Sequence, residues 1–292
     1  MKIVSKSYEP QILKKLQLCE LEILNDFIKV CEENNLIYWG FAGTGIGALR
    51  HSGFIPWDDD IDLYIPREDY KKAVEIFERD FADKYTVVNA EKFNDFPVMN
   101  THIIINDSQF VTTEDKRGNY PKGIFLDIFP VDNAPIDENL RKKQQRKAWL
   151  LSKLLILKHI PFPHLPLSGF KAKIAHGITA MVWLFLNVFC VSHNFLYNLC
   201  LKECTKYNDI ETDVWAYSCD TEAYTSVFIK SKTLPLRKEK FENTEIYFPN
   251  NLEEALTALY GDFMQIPPPE KQHNHCPDIL VFPNKETRET AV

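Results

Sequence analysis

The stretch Phe54-Ile55-Pro56-Trp57-Asp58-Asp59-Asp60-Ile61-Asp62 constrains this chain most, because it sets four carboxylates within five residues beside side chains that seek burial. Ile61, Leu63 and Tyr64 suggest that residues 60–64 are extended. Side chains then alternate, with Asp60 and Asp62 on one face and Ile61 and Leu63 on the other. Two carboxylates about 4 Å apart at an effective dielectric near 20 repel by roughly 4 kcal/mol. Both stay ionised near neutral pH only with a cation between them. A hard divalent metal is the natural occupant. A solvated acidic loop is the alternative, and the apolar bracket of Phe54, Ile55, Trp57 and Ile61 argues against it.

Upstream, residues 36–41 read as a short buried strand that closes in a glycine-rich turn, Gly43-Thr44-Gly45-Ile46-Gly47, and feeds a brief helix through about His51. A strand, a glycine turn and a helix N-terminus together present backbone N–H groups suited to phosphate. Such turns are common, so the motif alone is not specific. Downstream, Pro66 stops the extension, and Glu68 and Asp69 suit the positive end of a helix running to about Asp80. Residues 85–89, 98–105 and 109–113 read as strands. In Gly123-Ile-Phe-Leu-Asp127-Ile-Phe-Pro130, an extended chain puts Asp127 on the face of Phe125 and Phe129, where an unpaired carboxylate is costly to bury. The metal inferred at Asp60 and Asp62 is one partner for it; a local turn before Pro130 or a salt bridge elsewhere are others.

The N-terminal part carries Ile12, Leu16, Cys19, Ile23, Phe27 and Val30 at spacings of three and four, which predicts an amphipathic helix over 9–34 with Pro10 in its first turn. With 292 residues and 45% hydrophobic composition, the chain can bury one large core or two modest ones. The net charge of −7 disfavours nucleic acid as a partner. That average hides a segregation: residues 139–202 hold ten Lys or Arg and no Asp or Glu, so the remainder carries 24 − 41 = −17. Such asymmetry suggests a segment facing something anionic. Within it, residues 138–158 read as a basic helix, Pro161, Pro163, Pro166 and Gly169 break the chain, and a second helix runs to about 208. Its apolar part, 174–191, sits at the short limit for a membrane span, with a buried core helix as the alternative.

The last third shows short strands around Phe228 and Ile246-Tyr247-Phe248, a helix over 252–260, then Pro267-Pro268-Pro269 and His273-Asn274-His275. Three prolines in a row fix an extended path, so the tail is expected to drape over the body. His275 is a candidate for contacting phosphate or for a structural role. Seven scattered cysteines, odd in number and without a CxxC, read as free buried thiols in a reducing compartment, against a zinc knuckle or a disulfide framework. Residues 1–10 carry no apolar segment, so no secretory signal is expected and a cytoplasmic location is the default.

The glycine segment, the Asp-hydrophobic-Asp strand and a third acid on a later strand resemble the polymerase-β-like nucleotidyltransferase superfamily. More specifically, the chain resembles the LicD family, through Gly43-Thr-Gly-Ile-Gly-Ala-Leu-Arg-His51, Gly53-Phe-Ile-Pro-Trp-Asp-Asp-Asp-Ile-Asp62 with Pro66-Arg-Glu-Asp-Tyr70, Gly123-Ile-Phe-Leu-Asp-Ile-Phe-Pro130 with Asp132, and Tyr260-Gly-Asp-Phe-Met264 through His275. The resemblance implies an α+β fold, a small mixed nucleotidyltransferase-like sheet flanked by helices. It would divide into a catalytic core at 1–137, a largely helical, basic and apolar insertion at 138–210, and a part at 211–292 packing back on the core. It implies a phosphotransferase moving an alcohol phosphate, typically phosphocholine from CDP-choline, onto a sugar hydroxyl of a cell-surface glycan such as lipopolysaccharide or teichoic acid, by a two-metal mechanism that releases CMP. Fukutin-type relatives use CDP-ribitol.

By position, Asp60, Asp62 and Asp127 would ligate Mg2+ or Mn2+, Gly43, Thr44 and Gly45 would seat the diphosphate, and Asp58 would act as a base or hold a metal-bound water. Arg50 and Arg67 are candidates for neutralising phosphate, or else surface ion-pair partners. Gly45-Ile46-Gly47, and Ile103-Ile104-Ile105-Asn106 where basic residues are expected, depart from the family pattern and bear on which group is transferred. The competing classes are an ordinary nucleotidyltransferase that modifies a small molecule with a nucleoside triphosphate, and a catalytically silent glycan-binding scaffold. The acceptor would be a glycan or lipid-linked glycan, with 139–202 lying peripherally on an anionic membrane surface at the cytoplasmic face.

Overall fold

Pro10 opens α1 (Pro10–Glu33), whose Leu16, Ile23, Leu24 and Phe27 are fully buried against the sheet that follows. The computed structural model describes residues 8–165 and 167–284. The N-terminal reading therefore lies largely outside the described residues, as does Pro166. After α1 come β1 (Trp39–Gly40), α2 (Ala42–His51), β2 (Asp62–Pro66), α3 (Arg67–Asp80), β3 (Tyr85–Val88), β4 (Thr101–Ile105), β5 (Gln109–Val111) and β6 (Phe125–Asn133). Three helices then run in succession, α4 (Glu138–His159), α5 (Gly169–Val188) and α6 (His193–Cys204). The remainder is β7 (Val214–Ala216), β8 (Val227–Ile229), α7 (Lys230–Thr233), β9 (Arg237–Phe241), β10 (Thr244–Phe248), α8 (Leu252–Tyr260) and β11 (Ile279–Val281).

The fold is α+β, as expected. The main sheet has the order β1-β2-β6-β4-β3, with β7 paired to β6 and β8 to β7. Only β2 and β6 are parallel; the other pairs are antiparallel. Ile61, Leu63 and Ile65 are completely buried in one core, which is the apolar face that alternation requires. The tail is draped as expected: β11 pairs with β5, and Lys15 lies over the Phe282 ring.

Several expected boundaries shift. The buried strand at 36–41 is ladder-paired only at Trp39–Gly40, the strand at 98–105 begins at Thr101, and β2 begins at Asp62, so Asp60 precedes the strand. The glycine turn is not a turn, because all three glycines lie inside α2. Their requirement is close approach. A Cβ on Gly47 would lie 2.4 Å from the Gly53 carbonyl oxygen, and one on Gly43 would lie 2.9 Å from Oδ2 of Asp58. The helix expected to run to about 208 breaks after Val188. Cys190 takes φ +50°, and the Ser192 hydroxyl accepts a hydrogen bond from the Phe195 N–H to start α6, so the two helices bend by 111°. Nor is residues 174–191 a buried core helix, since Leu186 is the one residue of α5 that is buried.

Candidate active site at the ends of the central strands

Parallel pairing of β2 and β6 sets Asp62 opposite Asp127, and antiparallel pairing of β4 and β6 sets His102 opposite Asp127. Asp60 reaches the same place from the loop before β2. One carboxylate oxygen from each of Asp60, Asp62 and Asp127 lies within 4.8 Å of the other two. The supporting contacts are specific. The Asn100 side-chain amide donates to Oδ1 of Asp127 at 2.7 Å, and Nε2 of His102 lies 3.0 Å from that oxygen, with its ring stacked on Phe125. The buried Thr44 hydroxyl accepts the Asp62 N–H at 2.9 Å, which ties the start of β2 to α2.

These carboxyls crowd together in a poorly hydrated place. Burial, then the charges of Asp60 and Asp59, push Asp58 up to about 8. Burial raises Asp60 to about 6, with His275 acting in the opposite direction. Asp62 is held well above the usual carboxylate range by burial, and then by Asp60 and Asp127. Asp58 and Asp60 share a hydrogen bond that favours the proton on Asp58. Acids raised together in one cleft mark a candidate functional site.

Asp59 behaves differently. It is fully buried, and its two oxygens accept from the Tyr8 hydroxyl at 2.7 Å, the backbone N–H groups of His275 and Cys276 at 2.9 to 3.0 Å, and Nδ1 of His275 at 3.1 Å. Burial alone would raise its pKa, but the hydrogen bonds and charge of His275 outweigh burial and lower it. His275 also lies 3.6 Å from Asp60; burial opposes its charge, but Asp59 and Asp60 prevail and push it up to about 10. His275 thus reaches the carboxylates as the clasp of the tail, and it adds positive charge beside them.

The other expected site residues are placed less directly. Gly43 and Thr44 border the carboxylates, whereas Gly45 faces Leu252 and Leu256 of α8. The Arg50 guanidinium donates to the Phe263 carbonyl at 2.7 Å and lies over Trp57, so it anchors the chain after α8. Arg67 is not a surface partner: its side chain, 13% exposed, grips the buried Asp132 through two hydrogen bonds of 2.9 and 2.6 Å.

Sequence reasoning gave no role to Asp59, Asn100, His102 or Glu20. Glu20 is buried on α1, has no hydrogen-bond partner for Oε2 among the described residues, and is pushed well up by burial and then by Asp59, Asp60 and Asp58. Its neighbour on the same face, Gln17, donates to the Asp58 carbonyl at 3.0 Å. Two polar residues on the apolar face of an amphipathic helix were the available signal. Ile12, counted in that face, is instead exposed.

Residues 35–172, which contain all three clustered acids, match the family described as LicD/FKTN/FKRP, nucleotidyltransferase domain. The chain carries a LicD family domain over these residues. Over 280 residues the chain is 29% identical to the lipopolysaccharide cholinephosphotransferase LicD of Haemophilus influenzae, a match covering 90% of this chain and 95% of that protein. It is also 32% identical over 132 residues to an uncharacterized protein of Rickettsia prowazekii, covering 43% of this chain and 49% of that one.

Proposed function

We propose that this LicD-domain protein is a divalent-metal-dependent phosphotransferase that moves phosphocholine from CDP-choline onto a sugar hydroxyl of a cell-surface glycan, with CMP leaving. The observation that carries the reading is the convergence of Asp60, Asp62 and Asp127 within 4.8 Å at the ends of paired strands. A likeness to a protein named as a lipopolysaccharide cholinephosphotransferase supports the choice of group and acceptor.

The donor set fits a hard cation: three oxygen-only side chains, mutually repelling, with Asp60 and Asp62 raised in pKa. Asp60, Asp62 and Asp127 would hold Mg2+ or Mn2+, which supplies neutralisation of charge on the diphosphate donor. The chain's own residues do the rest. Asn100 and His102 fix the Asp127 carboxylate, and Thr44 fixes the backbone of Asp62. Asp58 is the candidate base, because its proton is held by burial and by neighbouring negative charge; compensating that charge frees it to accept the acceptor's hydroxyl proton. Two residues beyond Asp127 on the same strand face, Phe129 stacks on Tyr64 at 4.9 Å and meets Tyr217 edge-on at 5.2 Å. Tyr64 and Tyr217 are buried, so these rings belong to the core, and the choice of choline rests on the likeness to the Haemophilus influenzae protein.

The test is incubation of purified protein and magnesium with CDP-choline, CDP-ribitol and CDP-glycerol in the presence of a glycan acceptor, followed by CMP release. Release from CDP-choline in preference to the other two is expected. Release from none, or pyrophosphate from a nucleoside triphosphate instead, would contradict the assignment.

The reading includes a location, peripheral on the cytoplasmic face of an anionic membrane. Among the described residues no single helix is long and apolar enough to cross a membrane; α5 and α6 pass that test only as a bent pair. Yet α5 leaves Phe170 at 77%, Met181 at 64% and Val188 at 65% exposure, with Phe185 and Phe189 also bare and Lys171 and Lys173 exposed at its start. An apolar helix in the headgroup boundary with flanking cations is the arrangement of a peripheral anchor. The cations of α4 contribute less than their number suggests, because Lys142 pairs with Glu138 and Lys147 with Glu203. Binding to vesicles rich in anionic lipid should weaken with salt and with Lys171→Gln/Lys173→Gln, and vanish with Phe185→Ser/Phe189→Ser. Absence of wild-type binding would remove this location.

A further inference from the structure

Three of the scattered cysteines meet in space. Cys200 and Cys204 stand one turn apart on α6, and Cys219 comes from the segment after β7. Sγ of Cys219 is 3.5 Å from Sγ of Cys200 and 3.5 Å from Sγ of Cys204, and the three sulfurs lie within 4.8 Å of one another. All three are buried, at 0%, 4% and 8% exposure. Their separation in sequence, without a CxxC, concealed the group.

We propose that Cys200, Cys204 and Cys219 form a structural site for a thiophilic divalent cation of the zinc class, separate from the carboxylate site. Four arguments support it. Three sulfurs converge on one point, where a disulfide would use two and strand the third. Tetrahedral zinc with bonds of about 2.3 Å sets its sulfurs about 3.8 Å apart, close to the observed spacing. Cation and thiolates together would carry one net negative charge; contacts among the thiols and burial hold Cys200 and Cys219 well above the usual thiol range, and the Arg67 guanidinium acts against that. Soft sulfur ligands also discriminate against the hard cation suited to the carboxylates. Among the described residues no fourth His, Cys, Asp or Glu joins the group, so water or a backbone carbonyl would complete the coordination. Binding displaces three thiol protons to solvent, without change of oxidation state.

The position gives such a site a purpose. The Cys200 thiol contacts the Ala148 carbonyl of α4 at 3.4 Å, and Cys219 precedes Asp220, which accepts from the Ser226 hydroxyl that pairs with Tyr64 of β2. A cation here would tie α6, which packs on α4, to the segment after β7, whose Asp220 connects through Ser226 to the strand that carries Asp62.

The experiment uses the full chain, purified under reducing conditions and stripped of metal, titrated with Cd2+ and followed by the ultraviolet thiolate-to-cadmium band. One equivalent is expected to saturate the band and raise the melting temperature. Cys204→Ser should lose the band, while Cys190→Ser, which removes an exposed thiol, should keep it. If Cys204→Ser does not fold, wild-type protein decides: one equivalent of Zn2+ should shield Cys200, Cys204 and Cys219 from alkylation, read by mass spectrometry. No cadmium band in folded wild type, or a disulfide among the three in freshly purified protein, would overturn the proposal.

Discussion

Strands β2 and β6 carry acids at both ends of their shared ladder, and the two ends are treated in opposite ways. At one end Asp62 sits opposite Asp127 with Asp60 beside them; among the described residues no Lys or Arg pairs with the three, and His275 lies 3.6 Å from Asp60 alone. At the other, just beyond the pairing of Pro66 with Val131, Asp132 is gripped by Arg67 through two hydrogen bonds and also accepts from the Asn208 amide at 2.7 Å. A carboxylate fully compensated by the protein is a structural element; carboxylates left crowded together are the candidates for a site. The four-acid run shows the same division, since Asp59 is saturated by the tail and Asp60 is not.

The comparison breaks most sharply in activity. Asp62→Asn should lower transfer by at least about 10²–10³, the scale of losing one electrostatic contact to the transferring group. It should leave the melting temperature in chelator equal or higher, because it removes repulsion; turnover within a few-fold of wild type would show that the crowded end is not the site. The compensated end should respond in the other currency. Arg67→Met leaves Asp132 buried without its cation and should cost about 3–5 kcal/mol in urea unfolding. Arg67→Met/Asp132→Leu should recover most of that loss. A single variant as stable as wild type would refute the division.

Asp59→Asn sharpens the same contrast inside the acidic run. Weakening the contacts to His275 and Cys276 should cost about 1–3 kcal/mol and expose the segment around 267–281 to proteolysis. Unchanged protease resistance would mean that the tail is held by β11 and its other contacts alone. The smallest effect is in pH. The folded-state pKa values of Asp60, about 6, and Asp58, about 8, lie above the ordinary carboxylate value, so the native state holds more protons than the unfolded chain between those limits. Their contribution to stability is therefore full below about pH 4 and is lost as pH rises through 6 and 8. Chelated protein should lose melting temperature over that window, and magnesium should flatten the slope; a rise with pH in chelator would contradict the assigned shifts.

Asp62 was legible in the sequence because period-two alternation from Asp62 onward sets which side chains share a face, and Asp127 declared itself as an acid among apolar neighbours, whereas Asp60 joins them from the loop before β2, where alternation does not apply. The partners of Asp127 were not legible, because they depend on register: nothing in residues 98–105 says that His102 will lie opposite Asp127. The helix 9–34 was readable from its repeat, yet Gln17 and Glu20 passed as ordinary polar positions, since their significance lies in facing the acidic loop. The glycines were misread for a physical reason. Gly43 and Gly47 admit a neighbour close to the helix backbone, a need indistinguishable in sequence from that of a turn. For α5, composition alone could not separate burial from exposure, and the break at Cys190 depends on one left-handed residue.

The central claim, that the crowded carboxylates hold a divalent cation, is tested most directly by titrating chelator-stripped protein with Mn2+ and reading the free ion by its paramagnetic resonance. Wild type and Asp127→Asn should melt alike in chelator, and wild type should bind manganese at least about tenfold more tightly than the variant, the lower end of what disturbing a metal site costs. Equal affinity in the two proteins would show that Asp127 is not a ligand and that the convergence with Asp60 and Asp62 serves another end.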